Sequence, residues 1–220
     1  MSIAKESRRL ANYIIELNND FTIYYPNNDS CYNHIGALFV DITLQAGLNY
    51  KTVVRPRVSR VLLQYPEAFT INKFQELVDS EGLENIIKWK HPLKLKRIQQ
   101  LLDFYSKNNI NTCHDLKIFL TESQNRQKFL ELNGVGPKTL DYLMKLLNFD
   151  VVAVDRHIYS FVEMAQIENR GYDFTKKVVE YAADFLSISR TSLDYSIWNY
   201  MSKKENKIYI ENQLRIEFVA

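Results

Sequence analysis

Asn133-Gly134-Val135-Gly136 constrains the fold of this chain more than any other stretch. The residues ending at Leu132 and those beginning near Pro137 both carry helical patterning, so the turn must reverse two helices within four positions. Glycine tolerates positive φ and lets a second backbone approach closely, and it stands at both 134 and 136. Pro137 suits a first helical position, where its missing N–H would go unpaired in any case. A helix start of this kind exposes backbone N–H groups and favours an anion. Taken alone, the turn implies a tight connection between packed helices that is receptive to negative charge.

The rest of the chain reads as helical. Leu10, Tyr13, Ile14 and Leu17 share a face over 5–18, and residues 19–30 read as a loop. Ile35, Leu38, Phe39 and Ile42 mark an amphipathic helix from Ile35 to Ala46, ended by Gly47. A helix over 51–65 accommodates Pro56 near its first turn. Thr70 or a neighbour caps a short helix through Val78, and His91-Pro92 opens a strong one that Asn108-Asn109 breaks. Further helices are expected over 112–119, 123–132, from Pro137 through Leu147, and over 156–166, 174–187 and 190–202. Lys207–Ile210 and Leu214–Phe218 alternate polar and apolar residues, which reads as a small β-hairpin or an extended tail.

Composition narrows the chemistry. The two cysteines, Cys31 and Cys113, are too few for an iron–sulfur cluster or a structural zinc site and read as independent thiols. The four histidines, His34, His91, His114 and His157, lack ligand-like spacing, so no metal centre is expected. No apolar run approaches the roughly 18 residues of a membrane span, and the N-terminus lacks a signal peptide's apolar core. An intracellular, cytoplasmic protein is the expectation. The net charge of +2 conceals two acid-free basic clusters, Lys51/Arg55/Arg57/Arg60 and Lys88/Lys90/Lys94/Lys96/Arg97. Such clusters suit a phosphate backbone, although solvated helix faces often look the same.

Leu132-x-Gly134-Val135-Gly136-x-Lys138-Thr139 resembles the hairpin of the helix-hairpin-helix (HhH-GPD) DNA glycosylase superfamily, which includes endonuclease III and the 8-oxoguanine glycosylases. Val152-Ala153-Val154-Asp155-Arg156-His157-Ile158 resembles the endonuclease III-type segment that carries the superfamily's aspartate. Leu44-Gln45-Ala46 resembles the segment that supplies a glutamine wedge. The resemblance spans residues 5–202. It implies an all-α fold of two helical subdomains flanking a DNA-binding cleft, all within a single domain over 1–220. Residues 31–149 would form a central helical barrel with the hairpin at 125–147, and residues 1–30 plus 150–220 the other subdomain.

By the same resemblance Lys138 and Asp155 are the catalytic residues, and Gly134, Val135, Gly136, Thr139 and Gln45 contact DNA. A base stacked in a duplex must be flipped out before its glycosidic bond can be cleaved, and Gln45 would fill the vacated space. Lys138, as a neutral amine, would attack C1′, displace the base and form a Schiff base that leads to strand nicking. Asp155 would activate the nucleophile and stabilise the oxocarbenium-like sugar, while also capping the helix that starts at Arg156. His157 reads as structural. Pocket residues are sought around 32–34, 45–49 and 184–198.

The implied partner is double-stranded DNA with a damaged base, bound by a monomer in a prokaryotic cytoplasm. No cofactor is implied beyond a monovalent cation at the hairpin. The leading substrate is an oxidised pyrimidine. The alternatives are a monofunctional glycosylase for mismatched or deaminated bases or 8-oxoguanine, and a non-catalytic DNA-binding module. The chain departs from the family in three places. It lacks the four cysteines of the cluster-bearing members, the loop before Asp155 has neither Gly nor Pro, and Pro137 removes one phosphate-binding amide.

Overall fold

The structure is a computed structural model that describes residues 2–25 and 32–217, with side chains as far as residue 204. Cys31, Phe218 and part of the loop expected over 19–30 lie outside the described residues. All regular structure among the described residues is helical, in agreement with the all-α reading. The helices fall into two compact units, Met1–Asn27 with Asp150–Ala220, and Asn28–Phe149.

The Asn28–Phe149 unit is built on α2 (Ile35–Leu44), whose ten residues are all buried. His34 caps it by accepting from the Ala37 N–H through Nδ1 at 3.1 Å. Against α2 pack α3 (Arg55–Gln64), α4 (Ile71–Glu81), α6 (Pro92–Lys107) and α9 (Pro137–Leu146). The short α5 (Leu83–Ile87) sits against α3 and α4, and α7 (Cys113–Thr121) and α8 (Ser123–Leu130) form the remaining layer. Phe39, Tyr105 and Phe129 stack through this core, with ring centroids 5.6 Å and 5.9 Å apart. Each such ring contributes on the order of 2–3 kcal/mol by its burial.

The other unit packs α1 (Ile3–Leu17) along α11 (Tyr172–Phe185), with α10 (Arg156–Met164) and α11 both against α12 (Arg190–Glu217). Its core centres on Leu10, Ile14, Phe161, Val178, Leu193 and Ile197.

Side-chain caps begin several of the helices. Thr70 accepts from the Lys73 N–H at 3.2 Å, and Thr112 with Asp115 forms a reciprocal capping box. Three features depart from the sequence expectations. Residues 50–54 form a π-turn ahead of α3, because Pro56 has no N–H to donate and the Arg55 N–H reaches back to the Tyr50 carbonyl. Helix α5 follows Gly82 (φ 77) and was too short to leave a periodic signal. The expected hairpin or extended tail after Lys207 is instead the continuation of α12 to Glu217. No Gly or Pro interrupts residues 190–217, and extending an existing helix is far easier than nucleating a new element.

Candidate functional site

The hairpin joins α8 to α9. Leu132 donates to the Phe129 carbonyl at 3.2 Å, and Val135 closes the turn by donating to the Leu132 carbonyl at 3.0 Å. The Val135 N–H is thus consumed inside the turn. Gly134 has φ 78, a conformation that L side chains rarely adopt, and a Cβ there would fall on the Arg97 guanidinium. Gly136 differs from expectation: it is extended at φ −123, and nothing lies within 4 Å of where a Cβ would stand. Its carbonyl starts α9 by accepting from Thr139 at 2.9 Å and Leu140 at 3.1 Å. The N–H groups of Gly136 and Lys138 have no backbone acceptor among the described residues.

Lys138 occupies the first turn of α9, half-buried, and makes no ion pair or hydrogen bond with a described residue. One turn further along the same face, the Tyr142 hydroxyl donates to Asp41 Oδ1 at 3.0 Å. Asp41 is fully buried in the middle of α2. Its Oδ2 also accepts from Tyr32 at 2.6 Å and from Tyr50 at 3.2 Å. Burial pushes the Asp41 carboxyl above the usual carboxylate range, against the opposing pull of the three hydroxyls. Burial, reinforced by Asp41, likewise raises Tyr32 and Tyr142 and pushes Tyr50 up to about 12. The tyrosines therefore stay protonated donors, and the cluster ties α9 to α2.

Gln45 is the C-cap of α2, one residue beyond the helix, rather than a residue inside it. It is half-buried, and its Nε2 is buried with no acceptor among the described residues. The turn that carries it is held by Lys94, whose ammonium donates to the carbonyls of Thr43 at 2.7 Å and Ala46 at 2.8 Å. Burial, helped by neighbouring Arg97, lowers the Lys94 pKa. A pocket lies between this turn, α6 and the hairpin, lined by Thr43, Ala46, Arg97, Gln100, Asn133 and Thr139 among others. Thr139, Gly134 and Val135 are thus brought to one pocket with the residues flanking Gln45.

Asp155 belongs to the other unit. It is the N-cap of α10, where Oδ1 accepts from His157 N–H at 2.9 Å and Ile158 N–H at 3.1 Å. Oδ2 makes no hydrogen bond with a described residue. His157 is buried, edge-on to Trp198 at 6.3 Å.

The basic clusters divide in two. Arg57 donates to the Val53 and Lys88 carbonyls and stacks over Trp89, while Arg60 donates to the Ile86 carbonyl. Together with Lys94, these side chains hold backbone. Lys51, Arg55, Lys88, Lys90 and Lys96 stand exposed on the surface.

Sequence reasoning missed Asp41 and its tyrosines. A detectable signal was present, because a carboxylate inside the otherwise apolar run Ile35–Leu44 requires a buried partner. The partners themselves, at 32, 50 and 142, are too far apart in sequence to pair by inspection.

No cluster of His, Cys, Asp or Glu able to hold a metal occurs among the described residues. The Leu132 and Gly136 carbonyls already accept hydrogen bonds, and the Arg97 guanidinium lies on Gly134 as a resident positive charge.

This arrangement of helices has a counterpart of the same fold among solved structures. A solved structure of H. pylori 3-methyladenine DNA glycosylase (MagIII), bound to 1,N6-ethenoadenine, shares the fold at a TM-score of 0.52. The two are 16% identical over 94% of this chain and 98% of that one. A family model described as "Domain of unknown function (DUF8548)" matches residues 88–202, more than half of the chain, and the chain belongs to that family. No curated protein matches it.

Proposed function

We propose that this protein is a DNA repair glycosylase that everts and excises a damaged base and then acts as an AP lyase through Lys138. The observation that carries this reading is Lys138 itself: a half-buried amine on the first turn after the hairpin, without a salt-bridge partner among the described residues. A lysine whose only task was surface solubility would not need a place beside unpaired N–H groups at a glycine turn. In the proposed reaction the neutral Nζ attacks C1′ and the base departs with the bonding electrons and takes up a proton. The nitrogen then loses a proton, the C1′–O4′ bond opens with O4′ protonated to leave an iminium, and loss of a C2′ proton expels the 3′ phosphate by β-elimination. Asp155, oriented by its two backbone N–H donors, activates the nucleophile and stabilises positive charge on the sugar. Gln45 fills the space left by the everted nucleotide, its Nε2 donating to the orphaned base. The partner is double-stranded DNA, bound by a monomer in the cytoplasm.

An oxidised pyrimidine is the leading substrate, on the resemblance of Val152–Ile158 and Gln45 to the endonuclease III type. A second reading, a glycosylase for an adducted purine that uses water, is favoured by the fold neighbour solved with 1,N6-ethenoadenine. Borohydride trapping on a panel of single-lesion duplexes separates the two. The lyase reading expects a covalent adduct with the parent protein and none with Lys138→Gln. Base release without an adduct supports the water route, and equal trapping of Lys138→Gln refutes the nucleophile assignment.

A further inference from the structure

Arg97 lies three residues after Lys94 on α6, and its guanidinium lies against Gly134. The position a Gly134 Cβ would take overlaps Nη2, Nε and Cζ, so the guanidinium lies against the glycine in a place that only the missing side chain leaves open. The side chain is half-buried and makes no ion pair or hydrogen bond with a described residue. It lines the pocket between the Gln45 turn and the hairpin, and no carboxylate contributes to that lining. Lys94, outside the lining itself, adds positive charge near Arg97 and commits two of its three N–H donors to the carbonyls of Thr43 and Ala46. The pocket therefore holds excess positive charge, partly withdrawn from water, with one planar donor still unused. The counter-charge it suits is a tetrahedral anion with two oxygens for the guanidinium edge.

We infer that Arg97 binds a phosphodiester of the DNA strand at the hairpin, so that the positive charge acting there is a guanidinium instead of a metal ion. The inference rests on the reading that the protein acts on DNA. It adds a residue from outside the hairpin sequence to the DNA contact, and it gives Gly134 a second purpose. Besides tolerating its backbone conformation, the glycine leaves the space that the Arg97 guanidinium occupies.

The test is the salt dependence of binding to an intact duplex and to one carrying a stable abasic-site analogue. Neutralising one phosphate contact should lower the slope of log K against log salt by about 0.9 and weaken binding nearly equally on both duplexes. Arg97→Gln is expected to show this loss, and Arg97→Lys to keep most of the slope. An unchanged slope in a folded Arg97→Gln protein overturns the inference. Because that variant removes packing on Gly134, the parent protein provides a second readout. Its Arg97 Nε–Hε NMR resonance should shift on adding duplex, and a resonance unmoved at saturating duplex overturns the inference as well. Inorganic phosphate distinguishes the source of the anion. A shift with phosphate but none with duplex would identify a free-anion site and remove DNA as its ligand. Failure of the glycosylase reading looks different: the parent releases no base from any lesion, while the Arg97-dependent slope on intact duplex persists.

Discussion

Asp155 and Asp41 are carboxylates held by hydrogen bonds, one in each compact unit. Asp155 accepts from two backbone N–H groups within three residues of itself, all through Oδ1. Asp41 accepts from three side chains drawn from before α2, from the π-turn and from α9, and uses both oxygens. The first arrangement is local, orients the group and leaves Oδ2 without a partner among the described residues. The second spends the carboxylate on holding the fold together. A carboxylate that must act on a substrate needs spare acceptor capacity, and one that ties helices together does not. The contrast is the one expected if Asp155 has the chemical role proposed for it, while Asp41 serves the architecture.

The largest effect expected from this contrast is on Asp155. Asparagine caps a helix about as well as aspartate, so Asp155→Asn should shift stability by less than about 0.5 kcal/mol. Base excision should nonetheless fall on the order of 10²- to 10⁴-fold, because the charge that activates the nucleophile is gone. Single-turnover excision and a denaturant melt measure the two quantities on the same preparation. A variant that melts early but excises normally would reverse the assignment.

Asp41 should show the opposite profile. Asp41→Asn puts an amide donor where tyrosine donors converge, and should destabilise the protein by about 2–3 kcal/mol. The pH dependence follows from the direction of the shift. Burial holds the folded carboxyl above its ordinary value of 3.8, so the protonated form favours folding. That contribution is fully present below 3.8 and is lost as pH rises through the raised folded value. Stability of the parent should therefore decline with rising pH over that window, and Asp41→Asn should flatten the decline. A parent whose stability rises there would show that the three hydroxyls outweigh burial.

The same contrast explains what could be read from the sequence. Asp155 was legible because its cap is written into consecutive residues, and the α8–α9 turn because Gly134 and Pro137 have local backbone reasons. Apolar periodicity exposed most helices for the same reason. The Asp41 cluster joins positions 32, 41, 50 and 142, and Arg97 meets Gly134 across the unit, so both depend on packing that no local window contains. The residues searched for a pocket included Tyr32 and excluded the other three cluster members. The tail was misread for a different reason: alternation over a few residues weighed more than the absence of any helix breaker after Arg190.

Two tyrosines provide the finest form of the comparison, since both hydroxyls are buried in the same unit. Tyr142 donates to a carboxylate, while the Tyr105 hydroxyl has no partner among the described residues. Removing a hydroxyl that serves a charged acceptor should cost about 1.5–3 kcal/mol, so Tyr142→Phe is expected to destabilise the protein by that amount. Tyr105→Phe keeps the ring stacked between Phe39 and Phe129 and deletes only the unpaired group. Burial without a partner is unfavourable, so this substitution should raise stability by about 1 kcal/mol. Chemical denaturation of both variants provides the measurement. If Tyr105→Phe destabilised the protein, its hydroxyl would have to be satisfied by a bound water in solution, and Tyr105 would join Tyr142 among the tyrosines whose polar end supports the fold.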